Sequence, residues 1–331
     1  MRKIPKFQIE LVHELMPIPR TMDRLPILLT NDDGVNSPGL LKLASALNGL
    51  GHPIMVIAPL NEQSASGMKL TLREGMRFQE HKELAKSITI NEESTLRIFS
   101  LDGTPCDCVI VALDGGLNKL VPDISPSLCI SGINRGPNLS VDIFHSGTVS
   151  AAREASLYGL PAISVSLATY SHQNYSDSIS CTLQIIEAIS SFLPTKPPNL
   201  LRPKGAEMNS PNNRLTEVQN SFLSGDIFLN VNVPEVWNGS IETVKLGARW
   251  YQNASDMMSD DSNEVTFHVG AATIIEEDIE NTDCVSVKNG FTSITPLASW
   301  PQLHPLGVSN ELLEISLESN SKTGLPTWLY I

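Results

Sequence analysis

Two short apolar runs with a helical repeat between them constrain this chain more than any other feature. Ile-Leu-Leu-Thr at 27 to 30 is the first run and Pro-Ile-Met-Val-Ile-Ala-Pro at 53 to 59 the second. Between them, "PGLLKLASALNGLG" places Leu40, Leu43, Ala44 and Leu47 at helical spacing, with Pro38 near the start and Gly49 and Gly51 closing it. Runs this short and this apolar read as strands buried on both faces. The unit is therefore βαβ, with parallel strands and a right-handed crossover. The alternation then recurs. "DGTPCDCVIVAL" opens a helix with Thr104 as cap and Pro105 in the first turn. "PSLCISGIN" is a strand, "SGTVSAAREASLYG" a helix stopped at Gly159, "PAISVSL" a strand, and 175 to 193 a helix. Repetition of this kind defines a doubly wound α/β domain with a mostly parallel sheet. The stretch 68 to 100 reads as β-hairpins and loops projecting from that sheet.

The pattern changes along the chain. Residues 1 to 25 form an N-terminal extension, 26 to 195 the α/β domain, and 196 to 222, rich in Pro and Asn, a linker or insertion. From "GDIFLNVNVP" onward short alternating strands take over, giving a smaller β-rich C-terminal region over 223 to 331 with extended arms. A chain of 331 residues can bury a large core and divide into two such units. Its net charge of -13 argues against binding a nucleic-acid polymer or an anionic membrane surface. The first 25 residues lack the apolar core and cleavage site of a secretory signal, and no run of about 20 apolar residues could span a bilayer. The expected location is the cytoplasm. The five cysteines are scattered, "CDC" lacks zinc-knuckle spacing, and reduced, partly buried thiols are the expectation.

In open α/β sheets ligands bind where loops leave the carboxyl ends of strands. Four polar segments fall at such ends: Asn31-Asp32-Asp33-Gly34, Asn61-Glu62-Gln63-Ser64, Ser131-Gly132-Ile133-Asn134 and His145-Ser146-Gly147-Thr148. Taken singly, each reads as a turn, a loop or a helix cap. Together they bring two carboxylates, a hydroxyl and a carboxamide to one sheet edge. An all-oxygen set of this kind suits a hard divalent cation, magnesium or manganese. Such an ion would also remove the penalty on ionising two adjacent aspartates, and it could polarise a phosphoryl oxygen. The turn at Ser146 to Thr148, opening a helix, offers backbone N–H groups and a helix dipole to an anion.

The stretches "LLTNDDGVNSPGL", "VIAPLNEQSASGMKLTL", "LDGTPCDCVIVAL", "SGINRGPN" and "HSGTVSAAREA" resemble the stationary-phase survival protein SurE family of nucleotidases. Weaker likeness continues through "LNVNVP", "VKLGARWY" and "TDCVSVKNGFTSITPL", so the resemblance runs over about residues 26 to 297. It implies a Rossmann-like domain whose β-rich C-terminal region exchanges elements between subunits of a homodimer or homotetramer. It also implies metal-dependent hydrolysis of nucleoside monophosphates at the 5′ or 3′ position, with short polyphosphate as a further substrate in some members. Carried onto this chain, it makes Asp32, Asp33, Ser64 and Asn134 the metal ligands. Asp32, Asp33 and Asn134 would then be catalytic, and Asn36, Ser146, Gly147 and Thr148 would bind phosphate.

This chain departs from the family where Ser140 and Val141 replace the usual glycine and acidic residue, and where His145 replaces a tyrosine. Those changes bear on substrate preference more than on catalysis. Four other readings compete, of which serine-hydrolase chemistry is weakest because no G-x-S-x-G elbow is present. A response-regulator receiver would need an aspartate where "LCISGIN" delivers an asparagine, and haloacid-dehalogenase phosphatases separate their aspartates by one residue. A non-catalytic nucleotide-binding descendant of the same fold is separated from the enzyme by assaying phosphate release with and without chelator.

Overall fold

The computed structural model describes residues 24–122, 124–195, 213–261, 264–270 and 272–331. Almost all of the N-terminal extension, and the stretch 196–212, lie outside the described residues. The first unit is as the apolar runs dictate: β1 (Ile27–Thr30), α1 (Pro38–Gly49) and β2 (Ile54–Pro59), with β1 and β2 parallel. Every residue of both strands is buried. The stretch expected to hold projecting hairpins instead forms β3 (Phe78–Glu80), α2 (Lys82–Ile88) and β4 (Leu96–Leu101). β4 lies in the main sheet, parallel to β2, and β3 pairs antiparallel on its outer edge. Two turns of helix are too short to show a hydrophobic period, which hid α2. Burial of Ile98, Phe99 and Leu101 against the sheet's neighbours sets the place of β4.

The chain continues through α3 (Pro105–Val111), β5 (Leu128–Arg135), α4 (Gly147–Leu157), β6 (Ala162–Leu167) and α5 (Ser176–Ser190). Helix α3 begins as its sequence requires. The Thr104 hydroxyl accepts the Asp107 N–H at 3.2 Å, and the Asp107 carboxylate accepts the Thr104 N–H at 2.8 Å. That reciprocal box satisfies two otherwise unpaired donors. Helix α6 (Arg214–Leu223) occupies the end of the stretch expected to be linker, and it buries Val218 and Phe222 in the core.

Beyond it run β7 (Ile227–Val233), β8 (Ile241–Thr243), β9 (Ala248–Gln252), β10 (Ser255–Asp261), β11 (Glu264–Val269), β12 (Thr273–Glu277) and β13 (Thr292–Ala298). The C-terminal region is β-rich, and its strands serve two ends. β7, β13 and β8 complete the main sheet, whose order among the described residues is β3-β4-β2-β1-β5-β6-β7-β13-β8. β9 with β12, and β10 with β11, form separate two-stranded antiparallel arms.

Neighbouring strand residues feed opposite faces of the sheet. Ile27 and Leu29 pack with Leu40, Leu43 and Leu47 of α1 and Ile185 of α5, whereas Leu28 packs with Val109 of α3 and Val149 of α4. Full burial of one such leucine contributes about 2 kcal/mol. From β1 the chain steps to β2 on one side and returns at β5 on the other, so the winding reverses between β1 and β5. Helix α1 meets the end of β5 closely. A Cβ at Gly39 would lie 2.2 Å from the Ile133 carbonyl oxygen, so only glycine fits there.

Candidate active site

The reversal between β1 and β5 opens a cleft of about 680 Å3, and the loops at the carboxyl ends of β1, β2 and β5 line it. Asp32 and Asp33 follow β1 directly. Their loop is wired in place: the Asn31 carboxamide donates to the Gly34 carbonyl at 3.1 Å and to Ser37 Oγ at 2.6 Å. The Asp32 carbonyl accepts the Gln63 N–H at 2.7 Å, which ties the β1 loop to the β2 loop.

The two carboxylates have different surroundings. Asp32 is 3% exposed. It accepts the Thr148 hydroxyl at 2.5 Å and the Thr148 N–H at 3.0 Å. Burial raises its pKa, and the Thr148 donors, with the Gly147 N–H, oppose that rise. The N-terminus of α4 is thus aimed at a carboxylate of the protein itself. The approach is close, since a Cβ on Gly147 would come within 2.6 Å of Ser66 Oγ and 2.8 Å of Asp32 Cβ. Asp33 accepts the Arg135 N–H at 3.1 Å. Burial first, and the neighbouring Asp32 charge second, push its carboxyl up to about 6. Neither carboxylate is in an ion pair among the described residues; Arg135 Nη2 donates to the Tyr170 carbonyl at 2.8 Å, and the Arg135 charge still favours the ionised form of Asp33.

Of the residues singled out from sequence, Asp32, Asp33, Asn36, Ser64, Asn134 and Ser146 line this one cleft. The Asn134 carboxamide nitrogen donates to the Gly136 carbonyl at 2.9 Å, and no donor to its oxygen occurs among the described residues. Ser64 is exposed, and its hydroxyl donates to Glu62 Oε1 at 2.9 Å. Ser146 caps α4, its Oγ accepting the Val149 N–H at 3.1 Å. Gly147 and Thr148 stand behind Asp32. Thr148 is fully buried and commits both its hydroxyl and its N–H to that carboxylate.

The set fits a hard cation by its chemistry: two adjacent carboxylates, of which only Asp33 has a cation, Arg135, acting on it, with a carboxamide oxygen and a hydroxyl. No group of three or more His, Cys, Asp or Glu side chains that could hold a metal ion occurs among the described residues, so a cation here would depend on the carboxamide and hydroxyl oxygens to complete the two carboxylates.

A second network was not legible in the sequence. Asp142 lines the cleft and accepts Arg249 Nη1 at 2.8 Å, the Leu139 N–H at 3.0 Å and the Tyr251 hydroxyl. Arg249 also pairs with Glu276 of β12. Ser140, at a position where glycine is usual in the resembling family, has φ +51, a region that favours glycine. Its hydroxyl donates to the Gly247 carbonyl at 2.8 Å and accepts the Arg249 N–H at 3.1 Å, which offsets the strain. These bonds join β9 to the cleft loop across more than a hundred residues of chain, a distance no local spacing encodes.

A mostly parallel sheet, covered by helices on both faces and opening an acidic cleft where its winding reverses, defines a Rossmann-like α/β protein. Within that class, residues 27–256 match the model of the family described as Survival protein SurE, and this chain belongs to that family. It is 35% identical over 273 residues to a protein of Pelotomaculum thermopropionicum named 5'-nucleotidase SurE, covering 82% of this chain and 88% of that one. A protein of the same name from Geobacter sulfurreducens is 37% identical over 276 residues, covering 82% and 87%. The crystal structure of the SurE protein from Aquifex aeolicus superposes with a TM-score of 0.59 at 27% identity, covering 86% of this chain and 95% of that one.

Proposed function

We infer that this chain is a divalent-metal-dependent phosphomonoesterase acting on nucleoside monophosphates, a 5′-nucleotidase in the sense of its named relatives. The observation that carries the reading is the juxtaposition of Asp32, Asp33, Ser64 and Asn134 around one cleft. Magnesium or manganese bound there would supply a Lewis acid that draws charge from a phosphoryl oxygen.

The residues divide the remaining work. Asp32, fixed by Thr148 and the α4 N-terminus, and Asp33, fixed by the Arg135 N–H, present the anionic ligands. Asn134 offers its carboxamide oxygen and Ser64 its hydroxyl oxygen. Asn36 and Ser146, on the cleft wall, bind the phosphoryl group, and Gly147 and Thr148 form the helix end that holds Asp32 beside it. This is catalysis by positioning and electrostatic stabilisation, with little covalent chemistry.

The cytoplasm suits this activity, and no helix among the described residues is long and apolar enough to cross a membrane. Residues 26 to 195 carry the catalytic loops. The arms within 223 to 331 join copies into a homodimer or homotetramer, while residues 1 to 25 add an extension and the stretch from 196 up to α6 an insertion.

Phosphate release from 5′- and 3′-nucleoside monophosphates and short polyphosphate, with and without chelator, tests the proposal. Nucleotide hydrolysis abolished by chelation and restored by manganese or magnesium is expected. Full activity after rigorous metal removal would overturn the metal-dependent reading, and no phosphate release under any condition would overturn the enzyme.

A further inference from the structure

We propose that Tyr170 is the platform on which the nucleotide base stacks, and so the residue that separates nucleotides from other phosphomonoesters. This rests on the nucleotidase reading above and adds a base subsite to it. The cleft is larger than a phosphoryl group needs, at about 680 Å3, and falls in the range of pockets that enclose whole small molecules. Tyr170 lines it, yet 65% of its surface remains in solvent. An aromatic ring held at a cleft without core packing has its hydrophobic area available for a ligand.

The backbone beneath that ring is held from three directions. Arg135 Nη2 donates to the Tyr170 carbonyl at 2.8 Å. On either side in sequence, the Thr169 hydroxyl donates to Glu235 Oε2 at 3.1 Å and the Ser171 hydroxyl donates to Glu235 Oε1. The Ala168 N–H donates to the Val233 carbonyl at 2.8 Å, which ties the loop to the end of β7. The phenol end of the ring rests on Gly136. A Cβ at that glycine would lie 2.3 Å from Tyr170 Cζ, and its φ of +113 independently requires glycine. An exposed ring on a fixed backbone is pre-organised, and ordering it on binding costs little.

Of the other cleft tyrosines, Tyr175 is 1% exposed and belongs to the core, and Tyr251 is less exposed than Tyr170, at 41%, with its hydroxyl bound to Asp142. Every nucleobase has a π face, so stacking tolerates any base while favouring the larger purine surface.

The test compares kcat/KM for a purine nucleoside monophosphate, a pyrimidine nucleoside monophosphate and glycerol phosphate in the wild type, Tyr170→Phe and Tyr170→Ala. In Tyr170→Ala the ratio of nucleotide to glycerol phosphate should fall about tenfold or more, the ordinary worth of one base–aromatic stack. The loss should appear in KM, and the purine preference should shrink with it. Tyr170→Phe should keep both. An unchanged ratio in Tyr170→Ala would overturn the platform while leaving the nucleotidase reading intact. An equal loss in Tyr170→Phe would overturn it in favour of a hydroxyl contact. A wild-type protein that hydrolyses glycerol phosphate but neither nucleotide, or none of the three, would overturn the nucleotidase reading itself and the platform with it.

Discussion

Thr148 donates both its hydroxyl and its backbone N–H to Asp32, at 2.5 and 3.0 Å, so the first turn of α4 and the end of β1 are locked together through one carboxylate. Hydrogen bonds to a charged group are worth about 1.5–3 kcal/mol. Thr148→Val keeps the shape and the N–H but removes the hydroxyl donor. Phosphatase activity should fall about tenfold or more, and a higher divalent-ion concentration should be needed for half-maximal rate. A manganese titration of the variant reads both, and wild-type behaviour in it would mean that the Thr148 hydroxyl does not position Asp32.

Arg249 pairs with Glu276 within the β9–β12 arm and with Asp142 of the cleft loop, so the second pair fastens the arm to the loop. The Arg249 side chain is 7% exposed, as is nearly that of Asp142 at 8%, whereas Glu276 is 26% exposed. Removing one partner of a buried pair costs about 3–5 kcal/mol, because the other charge is left uncompensated. Arg249→Met should therefore lower stability by about 3 kcal/mol, read by urea unfolding, with the exposure of Glu276 holding the loss to the lower end. Adding Asp142→Asn should restore part of it. A double variant no more stable than the single one would locate the cost elsewhere.

His52 gives the protein a pH dependence remote from the cleft. Its ring is 2% exposed, with Nδ1–H donating to the Leu25 carbonyl at 3.1 Å. Burial, the larger cause, lowers its pKa below the usual 6.5, and the Arg24 charge adds to this. Below pH 6.5 the unfolded chain takes up a proton before the folded one does, so stability is full above that value and is lost as pH falls through the folded pKa. His52→Gln should flatten this slope in urea-unfolding measurements between pH 7 and 5. An unchanged slope would show that His52 does not contribute.

The two arms leave large apolar side chains in solvent: Trp250 is 47% exposed, Met258 66%, Phe267 60%, Val269 76% and Ile274 51%. A monomer seldom tolerates so much exposed apolar surface on paired strands. Light scattering at micromolar concentration should give a dimer or tetramer of the 36.0 kDa chain. A monomeric mass would remove the arms' role in assembly.

Much of this architecture could be read from residue order alone, because its signals are local. The apolar runs at 27 to 30 and 53 to 59, the spacing of Leu40, Leu43 and Leu47, and the caps at Thr104 and Ser146 lie within a few residues of the elements they specify. The same locality marked the loops that meet at the cleft, since each follows a strand end or opens a helix. β4 was misplaced because a strand's neighbours, not its own residues, decide whether it joins a sheet or projects from it. Thr148 was expected to face phosphate, yet folding turned both its donors onto Asp32, a residue 116 positions away. Asp142 with Arg249 and Tyr251, and Tyr170 on Gly136, likewise depend on contacts between separate strands and loops. Local propensity reaches along only a few residues of chain; which charge meets which donor, and which ring stays unpacked, depend on how the finished sheet stacks its loop ends.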